Sequence, residues 1–148
     1  MGCDIHSQAE RRVGGAWKKF QDYEPFDWRS YGMFAFLAGV RNYSAITPIS
    51  EPRGIPDDAD IEMQRDVGDH SYSWLSVDEL LSFDYDAKMK DRRVRRQIAE
   101  NVWSGAVTCE PGEGAMMTYR EFLGPAFFEE LDKLKNMGAE RIVFGFDS

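Results

Sequence analysis

The first residues that suggest chemistry are Asp4 and His6 in the opening stretch MGCDIH. Their spacing would place an acid and an imidazole on one face of a β-strand, with Cys3 and Ile5 on the other face. Such a pair can bind a divalent metal or act as an acid–base pair. A packed histidine that is hydrogen-bonded to its neighbour would give the same pattern, so both interpretations stay open.

A second group lies in GDHSYSWL, residues 68–75, just ahead of a predicted helix. It contains His70, the hydroxyl groups of Ser71 and Ser73, and the indole of Trp74, and a helix amino terminus can offer N–H groups to an anion. His70 is therefore a third catalytic candidate if the protein is an enzyme. The stretch lacks a G-x-S-x-G motif, which disfavours a serine hydrolase. The alternative is a helix cap followed by a core tryptophan.

Two arginine-containing stretches, GVRNY and SEPRGIP, provide a third group. Arg41 and Arg53 carry planar donors that suit phosphate or carboxylate, and Asn42 and Gly54 follow them directly. Glycine also lets the backbone approach a ligand closely. The alternative is that each arginine only fixes its loop through salt bridges to nearby acids, namely Glu51, Asp57 or Asp58.

The sequence suggests two possible kinds of metal site. Its only cysteines and histidines, Cys3, His6, His70 and Cys109, would make a zinc set, but their spacing matches no compact zinc motif. A hard divalent metal fits better, because the chain has an excess of carboxylates. Its oxygen ligands would be Asp4, Asp69 or Asp147, together with a histidine. Neither a G-x-G-x-x-G motif nor a P-loop supports a nucleotide cofactor.

The composition restricts the partners. The 148 residues include 26 acids and 18 Lys or Arg, so the net charge is −8, which disfavours nucleic acid. The basic run KMKDRRVRRQ, residues 88–97, is predicted as a helical stripe that is solvated or balances nearby acids, and a nucleic-acid footprint is the less favoured alternative. Few cysteines and the lack of a secretory leader pattern predict a cytoplasmic protein, and no apolar run suggests a membrane span.

The elements that would position these residues predict one α+β domain over 1–148. CDIHSQAERRV and AWKKFQDY flank Gly14 and Gly15 as a β-hairpin, and YGMFAFLAGV is typical of a short buried helix. A long irregular segment, residues 41–73, follows that helix. The chain ends in a predicted strand, ERIVFGFDS, and pairing of this strand with the first would bring Asp147 near Asp4 and His6.

Three further helices are predicted. One begins at Ser76, where Glu79 completes a capping box, and another covers about 91–103. The third covers about 118–137, with a break at Gly124–Pro125 and an end at Gly138. The sequence therefore predicts a small antiparallel sheet, made of the N-terminal hairpin and the C-terminal strand, packed with about four helices.

Three stretches taken together resemble a family of small proteins encoded in bacteriophage and prophage genomes. They are MGCDIH, FLAGVRN with EPRGIP, and DHSYSWL ahead of a helix; the ending RIVFGFD is similar as well. Residues 84–118 carry no part of the pattern. The resemblance implies a phage-encoded protein that acts in the cytoplasm of a bacterial host. Its matching stretches hold a polar set suited to a site: Asp4, His6, Arg41, Asn42, Arg53, Gly54, His70, Ser71, Ser73 and Trp74.

The leading hypothesis is a protein that binds a small anionic ligand, in this context a nucleotide-derived host defence signal that it would sequester. The pocket would be formed by Arg41, Arg53, His70, Ser71 and Trp74 beside Asp4 and His6. One alternative is a metal-dependent hydrolase of a phosphoester or nucleotide, in which Asp4, His6 and His70 act. Another is an acidic inhibitor of a host protein, in which residues 57–69 imitate nucleic acid. The sequence leaves open the ligand, a bound divalent metal and a homo-oligomer.

Overall fold

The chain forms two compact units. The computed structural model describes residues 2–60, 68–94, 97–103, 107–109 and 113–148. The first unit contains Met1–Arg29, Ser50–Phe83 and Pro125–Ser148, and the second contains Ser30–Ile49 and Asp84–Gly124. The predicted α+β class is confirmed, whereas the single-domain organisation over 1–148 stays a prediction.

Ten strands and four helices occur within the described ranges. In chain order they are β1 (Asp4–Val13), β2 (Ala16–Lys19), α1 (Tyr31–Ala38), β3 (His70–Ser76), α2 (Val77–Ser82), β4 (Lys88–Asp91), β5 (Arg93–Val94), β6 (Gln97–Ala99), β7 (Val102–Trp103), β8 (Val107–Thr108), β9 (Ala115–Thr118), α3 (Tyr119–Leu123), α4 (Pro125–Asn136) and β10 (Arg141–Asp147).

The first unit is built on a four-stranded antiparallel sheet with the order β2-β1-β10-β3. The last strand lies between the first strand and β3, and Asp147 is the register partner of Asp4. The predicted pairing of the chain's first and last strands is thus confirmed. The hairpin is also confirmed, because Gly14 and Gly15 turn between β1 and β2 with φ of 59° and 83°. Two residues with positive φ give the turn type that matches the twist of paired strands.

The strand β3 was not predicted. Residues 70–73 were assigned to the irregular segment ahead of a helix, and this assignment is wrong, because they pair with β10. The stretch HSYSWL is rich in residues that suit a pleated sheet, and its Ser73 and Leu75 are buried. The helix predicted to begin at Ser76 is confirmed, with the hydroxyl group of Ser76 and the carboxylate of Glu79 forming a capping box.

One face of the sheet is apolar. Its buried side chains alternate along β1 and β10 and include Ile5, Ala9, Ile142, Phe144 and Phe146. The helix α4 buries a matching stripe of Phe127, Leu131 and Leu134. Phe127 stacks on Phe26 with ring centroids 5.0 Å apart. These residues form the core of the first unit.

The other face of the sheet carries a buried ionic network. The carboxylate of Glu10 is fully buried and accepts hydrogen bonds from Arg141 Nε at 2.6 Å and Gln8 Nε2 at 2.7 Å. It also accepts one from the backbone N–H of Asp60 at 2.7 Å. The guanidinium carbon of Arg141 lies 3.8 Å from the ring centroid of Trp17, and its Nη2 lies 3.1 Å from Oδ1 of Asp58. The network fixes the segment around residue 60 against the sheet.

The second unit contains α1, and this predicted short buried helix is confirmed. Ser30 caps its amino terminus by accepting the N–H of Met33 at 3.2 Å, and every residue from Gly32 to Ala38 is buried. Gly39 ends the helix with φ of 71°. A positive φ at this position is what glycine permits at helix ends.

The helix predicted over about 91–103 is wrong, and so is the helical stripe predicted for 88–97. The described residues there form β4, β5, β6 and β7, which pair antiparallel within three two-stranded ladders. Met89 is buried opposite Met117, while Lys88 beside it is exposed. Asn101 has φ of 59° in the turn between β6 and β7, and this conformation is incompatible with a continuous helix. Long-range pairing thus overrides the helix propensity of Arg, Lys and Gln.

The last predicted helix is confirmed together with its break. The helix α3 ends at Leu123 and is followed by Gly124, which has φ of 82°. The helix α4 begins at Pro125 and stops ahead of Gly138. Proline at the first helical position lacks an N–H that would have no partner there. The helix α3 has its own capping box, formed by Thr118 and Glu121.

Candidate functional site

Ionisable side chains lie together at the end of the sheet where β1 begins at Asp4 and β10 ends at Asp147. His6 is hydrogen-bonded through Nε2 to Oδ2 of Asp147, and the two side chains are 36% and 45% exposed. Asp4 lies on the same face, because residues of β1 alternate between faces. The predicted proximity of Asp147 to His6 is therefore observed.

Arg29 lies at the same end of the sheet, beside Asp4. Its Nε and Nη2 each donate to the carboxylate of Asp4 at 2.9 Å. These hydrogen bonds lower the pKa of Asp4, with a smaller contribution from the charge of Arg29. Both side chains are 52% exposed, so the pair is accessible from solvent.

Two neighbouring cavities open along the outer edge of β1. The first has a volume of about 330 Å³ and is lined by Asp4, Ile5, His6, Glu24, Asp27, Trp28 and Arg29. The second has a volume of about 620 Å³ and is lined by Ser7, Gln8, Lys19, Phe20, Gln21, Asp22, Tyr23, Glu24 and Asp27. We call the first the His6 cavity and the second the Tyr23 cavity.

Charge in these cavities is mainly negative. Among the described residues, four carboxylates line them, against one lysine, one arginine and His6. Glu24 and Asp27 line both cavities and are exposed, whereas Asp4 is already paired with Arg29. A ligand with positive charge or hydrogen-bond donors therefore suits the cavities better than an anion does.

Within the Tyr23 cavity, one hydroxyl group is strongly held. The Tyr23 hydroxyl donates to Glu130 at 2.6 Å. Burial and this hydrogen bond to a carboxylate both raise the pKa of Tyr23 above its ordinary value. Tyr23 therefore stays protonated at neutral pH and joins the segment after β2 to α4.

Four of the ligand-binding candidates, Arg53, Gly54, Ser73 and Trp74, come together. Arg53 donates from Nη1 and Nη2 to Glu79 at 2.6 and 2.7 Å, and its guanidinium carbon lies 4.7 Å from the ring centroid of Trp74. The N–H of Arg53 donates to Ser73 Oγ at 3.0 Å, and that of Gly54 donates to the carbonyl of Tyr72 at 2.8 Å. These contacts attach the loop to β3 and α2.

His70 and Ser71 lie at an irregularity of β3. His70 pairs with Phe146, and Ser71 next to it has φ of 56°. The ring nitrogens of His70 lie 3.0 Å from the hydroxyl oxygens of Ser71 and Ser148. Because Phe146 and Asp147 point to opposite faces of the sheet, His70 lies on the face opposite His6. The three catalytic candidates therefore do not share one face.

Arg41 and Asn42 belong to the second unit, and each makes local contacts. The guanidinium carbon of Arg41 lies 5.4 Å from the ring centroid of Tyr31, and its Nη1 donates to the hydroxyl of Tyr43 at 3.4 Å. The side chain of Asn42 donates to the carbonyl of Ile46 and accepts its N–H, at 2.8 and 3.1 Å. Both residues stabilise the backbone that follows α1.

The described ranges contain no group of three or more His, Cys, Asp or Glu arranged to hold a metal ion. Cys3 and Cys109 are both buried. Of the acidic segment 57–69, residues 61–67 lie outside the description, while Asp58 and Asp60 are used in the network of Glu10 and Arg141. None of the described helices is long and apolar enough to span a membrane.

Sequence reasoning missed the segment that closes the His6 cavity, residues 24–29. The stretch QDYEPFDWR mixes acids and aromatics between the hairpin and α1, and this composition was the available signal. It also missed Glu10 and Arg141, whose strands give no sign that a charged pair is buried. No family model, curated protein or solved structure matches this chain.

Proposed function

We propose that the protein binds a small polar ligand in the His6 cavity. The observation that supports this most is the hydrogen-bonded pair of His6 and Asp147 at a cavity of about 330 Å³. Pockets for small ligands begin at about 300 Å³, and they combine apolar walls with a few polar groups that fix the ligand's orientation. Trp28 supplies apolar surface here, and the carboxylates supply polarity.

The contacts of the two arginines favour this cavity over the loop around Arg53. Arg53 is held by Glu79, by the face of Trp74 and by Ser50, so a ligand would have to replace several contacts at once. Arg29 makes an exposed pair with Asp4, and exposed pairs contribute little because solvent screens them. Rearrangement at the His6 cavity therefore costs less.

The excess of carboxylates supports a neutral or cationic ligand. Hydrogen-bond donors on the ligand would meet Glu24 and Asp27, which line the cavity. The anionic, nucleotide-derived ligand predicted from Arg41 and Arg53 stays a prediction with less support, as does the phage origin. Both predictions depend on the sequence resemblance and the loop arginines.

Four small probes test the proposal by NMR on the full chain: N-methylacetamide, methylguanidine, acetate and inorganic phosphate. We expect the first two to shift resonances of Ile5, His6 and Trp28, and His6→Gln to weaken these shifts. His70→Gln is the matched control and should leave them unchanged. Shifts confined to Arg53 and Trp74 with phosphate would overturn the proposal, and so would the absence of any shift at the His6 cavity.

Hydrolysis is a second candidate function, favoured by the His6–Asp147 pair. Asp147 holds Nε2 of His6 and would stabilise the imidazolium, which leaves Nδ1 to face a ligand. In that role His6 takes a proton from an attacking water and returns it to the leaving group. General base catalysis contributes about 10²–10⁴-fold to the rate.

Turnover of p-nitrophenyl acetate and bis-p-nitrophenyl phosphate, with and without EDTA, tests this second candidate. His6→Gln should abolish turnover, and Asp147→Asn should reduce it, while both variants keep the native circular dichroism spectrum. Equal turnover by the parent protein and His6→Gln would rule out His6 as the base. Turnover that is lost in EDTA would point to the metal-dependent form of the hypothesis.

A further inference from the structure

Beside the two cavities, no described strand pairs with the outer edge of β1, because β2 pairs with β1 only from Glu10 onward. At Ala9 this edge is still paired, because the carbonyl of Ala9 accepts the N–H of Phe20 at 2.9 Å. In an antiparallel ladder, every second residue directs its N–H and carbonyl to the same side. Ser7 and Ile5 therefore present their backbone groups on the same edge as Ala9.

Pairing on the other side of the sheet leads to the same conclusion. The carbonyl of Phe146 accepts the N–H of Asp69 at 2.9 Å, so Phe146 directs its backbone groups toward β3. Its register partner on β1 is Ile5. The two residues thus form a non-hydrogen-bonded pair, in which Ile5 turns its N–H and carbonyl away from β10.

Nothing within the described ranges pairs with the backbone of Ile5 or Ser7 on this edge. Yet these residues are only 5% and 6% exposed, and each lines one of the two cavities. A buried backbone group without a partner costs about 1–3 kcal/mol, so such groups are normally satisfied by another chain, water or a ligand. Open strand edges are templates for an added strand.

We propose that the ligand of the His6 cavity is a short extended peptide that adds to β1 at Ile5 and Ser7. This inference rests on the proposed function, since it names the ligand of that same cavity. Main-chain hydrogen bonds to the edge would provide affinity, and side-chain pockets would provide selectivity. From Ile5 to Ser7 the edge spans about 7 Å, which matches about three residues of peptide.

The residues that line the two cavities favour a peptide with a basic side chain. Glu24 and Asp27 line both cavities, and Trp28 offers an aromatic surface to a lysine or arginine. The peptide must be short because the segment of residues 24–27 comes close to β1. Ser7 Oγ donates to the carbonyl of Pro25 at 2.5 Å, which prevents a long strand from lying along the edge.

Amide hydrogen exchange, followed by NMR on the full chain, tests the inference with the peptide Ac-Ala-Lys-Ala-NH₂. In the free protein the amides of Ile5 and Ser7 should exchange faster than those of His6 and Gln8, which face β10. With the peptide at about ten times its dissociation constant, exchange at Ile5 and Ser7 should slow about tenfold. Equal protection of all four amides in the free protein would mean that the edge is already occupied, which overturns the inference.

Matched peptides and variants separate backbone pairing from simple charge attraction. Replacing lysine by glutamate, or methylating the peptide nitrogen that pairs with the edge, should remove the protection. Glu24→Gln and Asp27→Asn should each weaken binding by up to about fivefold, as expected for an exposed charge pair, whereas Glu129→Gln on α4 should not. Unchanged binding of the glutamate or methylated peptide would contradict the inference.

The two proposals fail in different ways. Methylguanidine or N-methylacetamide that binds at His6, combined with no response to any peptide, would overturn the peptide and keep the cavity as a ligand site. If neither the small probes nor the peptide shift Ile5, His6 or Trp28, both proposals fall.

Discussion

Replacing Arg141 by methionine should destabilise the protein strongly. Arg141 Nε is the charged donor to Glu10, whose side chain is fully buried. Within the described ranges, the other donors to that carboxylate are Gln8 and the N–H of Asp60. Methionine keeps most of the side-chain volume beside Trp17 but removes the positive charge. The carboxylate of Glu10 is then left buried without its counter-charge.

The magnitude follows from this geometry. Breaking a buried ion pair by removing one partner costs about 3–5 kcal/mol, because a charge stays uncompensated inside the protein. Natural domains are stable by only about 5–15 kcal/mol, so the loss is a large fraction of the total. For a chain of this size, a loss of that order corresponds to about 10 °C in the melting temperature.

Urea unfolding followed by circular dichroism measures the loss as a shift of the midpoint. Arg120→Met is the matched control, because Arg120 pairs with Asp86 where the side chains are 52% and 73% exposed. Its removal should shift the midpoint far less than the removal of Arg141 does, because solvent screens exposed ion pairs. The double variant Glu10→Leu with Arg141→Met should recover most of the stability, since an apolar pair can replace a buried ion pair at little cost.

A loss below about 1 kcal/mol for Arg141→Met would refute the reasoning, because the buried carboxylate would then not depend on its partner. A double variant that is less stable than both single variants would refute it as well. That result would show that the network stabilises the fold mainly by positioning the segment around Asp60.

Three further predictions concern the fold. In the folded protein, hydrogen bonds from Arg53 hold the pKa of Glu79 below its ordinary value of 4.5. The stability that these bonds contribute is therefore present above pH 4.5 and is lost as the pH falls through the lower pKa of the folded state. The urea midpoint of Glu79→Gln should therefore lie below that of the parent at pH 7 and approach it at pH 3; a constant difference would contradict this. Gly15→Ala should cost about 1 kcal/mol of unfolding free energy, because φ of 83° is unfavourable for alanine; an unchanged urea midpoint would show that the turn relaxes. Phe127→Ala should lower the unfolding free energy by about 3–5 kcal/mol, while exposed Val13→Ala should change it by less than about 0.5 kcal/mol; similar losses for both would contradict the burial of Phe127.

Elements with local signals were predictable from the sequence. The glycine pair of the hairpin, the capping box at Ser76 and Glu79, and the Gly124–Pro125 break each act over a few residues, and the structure has all three. The pairing of β1 with β10 was also predicted, because the first stretch alternates in polarity and the last, RIVFGFD, is rich in residues that favour strands.

Elements that depend on distant partners were not predictable in the same way. Residues 88–94 have a good helix composition, and only their pairing with strands about 15 to 30 residues later makes β4 and β5 strands. For the site, the spacing of Asp4 and His6 predicted their common face. It did not predict Arg29 or Glu24, because these residues reach the cavity through a turn without periodicity.

The central place of β10 has a consequence for folding. His6 and Asp147 are 141 positions apart in sequence, yet they meet in one ladder, and β3 needs β10 as its partner as well. The strands β1 and β3 therefore cannot complete their pairing until β10 is present. A high contact order of this kind slows folding. During synthesis the sheet is left incomplete until residues 141–147 leave the ribosome. Until then β1 exposes the edge that later pairs with β10 and is open to pairing with other chains.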